Sequence, residues 1–174
     1  MFIIYCYLCC VSNRYILLFA LTVMKIRTPK FRVRSATFDT FDFSSDANPS
    51  FNISMNAELG VENTNFGHYK FHDSTIDFYY NDLSVGVAFV REARVRARST
   101  KKFNVIVNLS STNVQNSQQL GFDLNSGVLT LTSKSKLNGK VELLKVLKKK
   151  KSTEMDCILA INLRLKLIGD LRCK

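Results

Sequence analysis

The chain has 174 residues, of which 46% are hydrophobic. That is enough to bury a core and too apolar for a disordered polymer. A net charge of +11 favours polyanionic surroundings such as phosphate backbones, anionic headgroups or acidic polysaccharides. Charge alone does not choose among them, and a solvated basic surface satisfies it equally well.

Phe2–Met24 is apolar apart from Ser12, Asn13 and Arg14. A bilayer span needs about 20 apolar residues, and the run reaches that length only with Arg14 inside it. A central arginine costs about 2.5–3.5 kcal/mol, and each Leu, Ile, Phe or Val returns about 0.3–0.6 kcal/mol. The sum is near balance. Residues 1–24 are therefore read as a short apolar helix serving as a membrane anchor, and residues 25–174 as the folded domain. A cleaved signal peptide fits less well, because no basic segment precedes the run and no small-x-small site follows it. Cys6, Cys9 and Cys10 lie inside the run, as candidate palmitoylation sites or as plain apolar thiols. Lys25, Arg27, Lys30, Arg32 and Arg34 follow it. By charge balance alone they place the domain in the cytosol.

From Phe31 onward the hydrophobic period is two, which predicts strands. In Phe51–Glu62 one face reads Phe51, Ile53, Met55, Ala57, Leu59 and Val61, and the other is polar. That alternation marks a half-buried antiparallel strand. Ile76–Tyr80 and Leu83–Phe89 flank Asn81-Asp82, which reads as a two-residue hairpin. Phe103–Leu109 is another strand. Val128–Lys136 and Lys140–Leu147 flank Leu137-Asn138-Gly139, where Asn-Gly predicts a second hairpin. Met155–Leu167 reads as one last strand, Phe41–Ser50 as a polar loop, and Asn113–Asn125 as a short helix or a crossing loop. The total of about seven or eight strands predicts an all-β antiparallel sandwich of immunoglobulin or fibronectin III type.

The order of motifs carries a resemblance. Ile26-Arg27-Thr28-Pro29-Lys30-Phe31 follows the apolar run. Pro49-Ser50-Phe51-Asn52, Val61-Glu62-Asn63-Thr64-Asn65-Phe66-Gly67, Tyr79-Tyr80 and Lys140-Val141 come after it in turn. The chain resembles the late-embryogenesis-abundant group 2 domain, also called the water-stress and hypersensitive-response domain, of NDR/HIN-like plant proteins. The resemblance covers residues 25–174. Asn63-Thr64-Asn65 stands where that family has Asn-Pro-Asn, and the longer cytosolic N-terminus usual in the family is missing, as in a shortened chain start. The resemblance implies a β-sandwich outside the cell on one span from the plasma membrane. It also implies a role in defence or abiotic stress. The extracellular placement opposes the one drawn from charge balance, and the missing basic N-terminus accounts for the difference.

Asn52-Ile53-Ser54 and Asn108-Leu109-Ser110 are glycosylation sequons with both asparagines on polar strand faces. Cys157 and Cys173 are candidates for a disulfide. Sixteen extended residues span about 50 Å, and bridged Cα atoms lie within about 7 Å, so the chain must turn back between them. The turn expected near Gly169-Asp170 is far from midway, and an inert core thiol at Cys157 is the alternative. His68 and His72, about 13 Å apart in a strand, are too distant to share a zinc. Arg94, Arg96 and Arg98, read as one strand face, join Lys148, Lys149, Lys150 and Lys151 as candidate contacts for an anionic surface. Their alternative is a charged edge that blocks aggregation. Nucleic acid is disfavoured, because no aromatic platform interleaves the basic residues. No nucleophile elbow, phosphate loop or paired carboxylate motif occurs, so neither catalysis nor a cofactor is implied. Three functions fit: a membrane-anchored interaction domain with membrane or cell-wall partners, a lipid-binding module near its membrane, and a soluble desiccation protectant.

Overall fold

A computed structural model describes Arg14 and residues 25–46, 48–114, 118–143 and 147–173. The expected N-terminal helix, apart from Arg14, lies outside the described residues, as do Cys6, Cys9 and Cys10. Among the described residues no helix is long and apolar enough to cross a membrane.

Ten strands are described, in chain order: β1 Lys30–Ser44, β2 Ser50–Asn63, β3 His68–Phe71, β4 Ser74–Tyr80, β5 Leu83–Val90, β6 Ala93–Val95, β7 Ser99–Ser110, β8 Val128–Leu143, β9 Leu147–Asn162 and β10 Leu167–Cys173. An α-helix, α1 Gln118–Ser126, precedes β8. It occupies the stretch that sequence left open between helix and crossing loop. All pairings are antiparallel. One sheet has the order β1-β2-β7, and the other runs β10-β9-β8-β3-β6, with β4 also on β8 and β5 on β4. The fold is all-β, as the period of two implies.

The alternation along β2 does what its pattern requires. Phe51, Ile53, Met55, Ala57, Leu59 and Val61 are buried in a core shared with residues of the second sheet, including Tyr69, Phe71, Phe78, Leu131 and Leu159. Asn81 and Asp82 have φ of 45° and 65°, the left-handed pair a two-residue hairpin between right-twisted strands needs. The edge of β5 meets the end of β7, where Asn113 Nδ2 donates to the Ser84 carbonyl at 3.1 Å. Tyr80 Oη donates to Asp123 Oδ2 at 2.8 Å and ties α1 to the second sheet. Burial first, then the Asp123 bond and charge, push the Tyr80 phenol well above its ordinary pKa.

Three boundaries differ from the sequence expectation. The stretch 41–44 is not loop: β1 continues to Ser44, with Phe41 opposite Ile53 and Phe43 opposite Phe51. Edge-to-face contacts link Phe38 to Phe41 and Phe41 to Phe43. Asn138-Gly139 is not a hairpin either. β8 runs through both residues, and its ladder with β9 continues to the Leu143–Leu147 pair. Finally, Met155–Leu167 is not one strand. Asn162 ends β9 by accepting from the Arg164 and Leu165 amides at 3.1 and 2.9 Å, a side-chain turn of the kind asparagine favours. Lys166, at φ 54°, completes the reversal into β10.

Candidate anion-binding pole

One end of the sandwich gathers the β2–β3 turn, the β6–β7 turn and the chain arriving from the apolar run. Two buried amides hold it together. Asn63 and Asn65 are 1% and 4% exposed. Asn63 Nδ2 donates to the carbonyls of Gly67 at 2.8 Å and Arg96 at 3.0 Å. Its Oδ1 accepts from the Asn65 amide and from Asn65 Nδ2. Asn65 in turn clasps Arg27 from both sides: the Arg27 amide donates to Oδ1 at 2.6 Å, and Nδ2 donates to the Arg27 carbonyl at 2.8 Å. The Arg98 amide donates to the Asn65 carbonyl at 3.0 Å. Thus one Asn-x-Asn turn binds three segments of the chain, using asparagine because its amide offers two N–H donors and a separate carbonyl acceptor at once. Arg98, at φ 52°, places its guanidinium 4.0 Å from the centroid of the exposed Phe66 ring.

The basic residues are arranged differently from the strand face expected of Arg94, Arg96 and Arg98. Only Arg94 belongs to a strand, because β6 ends at Val95 and the chain turns through Arg96–Arg98. Arg94 instead begins a row that crosses four strands. It pairs with Lys70 on β3, Lys70 pairs with Lys140 on β8, and Lys140 pairs with Lys150 on β9. At about 4.8 Å per strand, the row spans roughly 14 Å. Like charges directly opposite each other destabilise a sheet. Lys70 meets Glu92 at 3.6 Å and Lys140 meets Glu142 at 3.4 Å, but such solvent-facing pairs offset little. Nearer the pole the next row is His68, Glu142 and Lys148.

Lys149 and Lys151 alternate with these, opposite Val141 and Gly139. The Lys151 carbonyl accepts from Tyr69 Oη at 3.2 Å. Burial pushes the Tyr69 phenol up to about 12. Lys70 and Lys140 were absent from the sequence candidates. Each is a lone lysine on a polar strand face, and only the register reveals the row.

The other candidates lie elsewhere. Asn52 and Asn108 are exposed on the outer face of the β1-β2-β7 sheet. Their sequons face each other in antiparallel register, Asn52 against Ser110 and Ser54 against Asn108, and Ser54 Oγ donates to Asn108 Oδ1 at 2.9 Å. His68 is on β3 and His72 lies past its end. Among the described residues no three His, Cys, Asp or Glu side chains are grouped to hold a metal. An open cleft of about 740 Å³ lies at the opposite pole, between Asp42, Ser44 and Asn48 on one side and Ser110–Thr112 on the other.

Cys157 and Cys173 stand opposite each other on β9 and β10, with Cα atoms 4.0 Å apart and their sulfurs bonded. The turn at 163–166 sits midway between them, not at Gly169-Asp170 where sequence had placed it. Closing a loop of this length removes about 3 kcal/mol of unfolded-chain entropy. Adding reductant is expected to lower stability by about 2–3 kcal/mol in urea unfolding, and Cys173→Ser should reproduce the drop. An unchanged midpoint in both would mean the bond contributes nothing.

The architecture defines a two-sheet antiparallel domain whose basic pole is sealed by a buried asparagine turn. Its family emerges from comparison. The family profile described as late embryogenesis abundant protein, LEA_2, matches residues 58–158. Late embryogenesis abundant protein At1g64065 of Arabidopsis thaliana is 30% identical over 154 residues, covering 87% of this chain and 72% of that protein. The chain belongs to this late embryogenesis abundant family, a stress-related group. Among solved structures, AT1g01470 of Arabidopsis thaliana aligns at 10% identity and TM-score 0.46 over 76% of this chain and 82% of that one. A putative late embryogenesis abundant protein, At2g46140.1, aligns at 12% identity and TM-score 0.35 over 86% and 80%.

Proposed function

We propose that this chain is a non-enzymatic interaction domain of the defence or abiotic-stress response, held at the plasma membrane by its apolar N-terminal run. Its working surface is the basic pole with the adjoining face of the larger sheet. The observation that carries the reading is the Arg94–Lys70–Lys140–Lys150 row. Four like charges held in register work against the sheet, and an anionic partner relieves that repulsion. The tether rests on the length and apolarity of residues 2–24. An extracellular position is supported by the two exposed sequons, which lie on the sheet opposite the basic row.

The test is expression of the full chain in plant cells. The chain is expected to stay with membranes through alkaline carbonate and to leave them when residues 2–24 are deleted. Peptide-N-glycosidase should increase its gel mobility, and Asn52→Gln with Asn108→Gln should abolish that shift. Release by carbonate sinks the anchor, and an unshifted band sinks the extracellular placement.

A further inference from the structure

We infer that the basic pole docks onto the anionic lipid headgroups of the membrane that holds the apolar run, with Asn65 as the clasp that sets its distance. The inference deepens the reading above and rests on its tether. Arg27 is bonded through both its amide and its carbonyl to the Asn65 side chain, and only Lys25 and Ile26 separate it from Met24. Three residues extend at most about 10 Å, close to the screening length of roughly 8 Å at physiological salt. A domain clasped there cannot carry its pole out of the range of headgroup charge.

The charge around that pole is mainly basic, although Glu62 at the end of β2 and Glu142 in the row beside it are acidic. Arg96 and Arg98 lie in the β6–β7 turn, Lys148 and Lys149 at the start of β9, and Lys25 and Arg27 on the tether, all solvent-facing. The opposite pole is acidic. Asp42 and Asp46 sit around the end of β1, Asp82 in the β4–β5 hairpin and Asp123 in α1, against Arg164 and Lys166. Near an anionic surface this asymmetry attracts one end and repels the other.

Phe66 adds an apolar element. It is 46% exposed at the tip of the β2–β3 turn, under the Arg98 guanidinium. An aromatic ring beside a cation suits the headgroup layer, where aromatic residues collect. The charges come from turns and strand ends of both sheets, so they fit a broad surface of many headgroups better than one extended polyanion. Headgroup charge decides the docking, whichever leaflet supplies it.

The test reconstitutes the full chain in phosphatidylcholine vesicles with and without phosphatidylserine and follows amide hydrogen exchange. Exchange at 64–68 and 96–98 is expected to slow at least about tenfold on the phosphatidylserine vesicles only. Raised salt, or Lys148→Glu with Lys149→Glu and Lys150→Glu, should restore it. A flexible Gly/Ser insert of roughly ten residues after Met24 should weaken the protection by lowering the pole's effective concentration at the surface.

Equal exchange on both vesicles overturns the docking. Protection untouched by the insert overturns the clasp. Resistance to carbonate on pure phosphatidylcholine reads the tether separately. A chain that fails there but keeps salt-sensitive protection has the docking surface without the anchor.

Discussion

Asn63→Ala is expected to lower the stability of the domain by about 3–4 kcal/mol, measured as the shift in urea unfolding of the full chain. The side chain is 1% exposed, and its four hydrogen bonds all stay within the pole. Truncation strands the Gly67 carbonyl and the Asn65 amide, while the Arg96 carbonyl keeps the Ser99 hydroxyl as a donor at 2.9 Å. A buried polar group left without a partner costs about 1–3 kcal/mol. The sum is held below the simple total because water can reach the Arg96 side of the turn, where the arginine itself is exposed. Asn65→Ala should cost less, about 2 kcal/mol, since the Arg27 groups it frees lie on an exposed stretch where water can replace it. A loss below about 1 kcal/mol at Asn63 would mean that the turn is held by β2 and β3 alone, and that the two amides are passive.

The strands of this domain were legible because alternation states which face is buried, and β2 shows it without interruption. The β4–β5 hairpin was legible for a related reason: its two turn residues sit between alternating runs. Long-range pairing was not legible. The row from Arg94 to Lys150 depends on β3 lying between β6 and β8, an order that no local pattern encodes. Lys148–Lys151 stood out as a run, but which two of its lysines share a face with Lys70 follows only from register. The same holds for Cys157 and Cys173. Their opposition depends on Asn162 ending β9, and an asparagine on the polar side of an alternating run looks like any other polar position until its side chain is seen capping the turn. The Asn63-Thr64-Asn65 turn was visible as a motif but not as a clasp, because Arg27 and Arg96 are 38 and 33 residues away from their partners.

Gly139 shows where a local signal gave way to tertiary structure, and it supplies the second large effect. Asn-Gly between alternating runs is the strongest short hairpin pattern, yet Gly139 lies inside β8, opposite Phe71 on one side and Lys151 on the other. The glycine serves a close approach. A Cβ built on it would stand 2.4 Å from the Lys70 carbonyl oxygen, 2.8 Å from a Tyr69 ring carbon and 2.9 Å from the Phe71 Cα. Two of those three atoms are backbone, so no rotamer change clears the space. Gly139→Ala should therefore cost about 3 kcal/mol, the upper end for overpacking, and Gly139→Val more. Were Gly139 the φ > 0 residue of a two-residue turn, alanine would cost only about 1–2 kcal/mol. Gly169→Ala is the control, with its nearest neighbour at 3.5 Å, and should change stability by no more than about 0.5 kcal/mol. Because Gly139 backs directly onto Lys70, the alanine variant should also push β3 away from β8 and open the Lys70–Lys140 pair. Faster amide exchange along 68–71 in Gly139→Ala, with β2 unchanged, is the expected signature. A variant as stable as the parent would return Asn138-Gly139 to the hairpin that its sequence suggests.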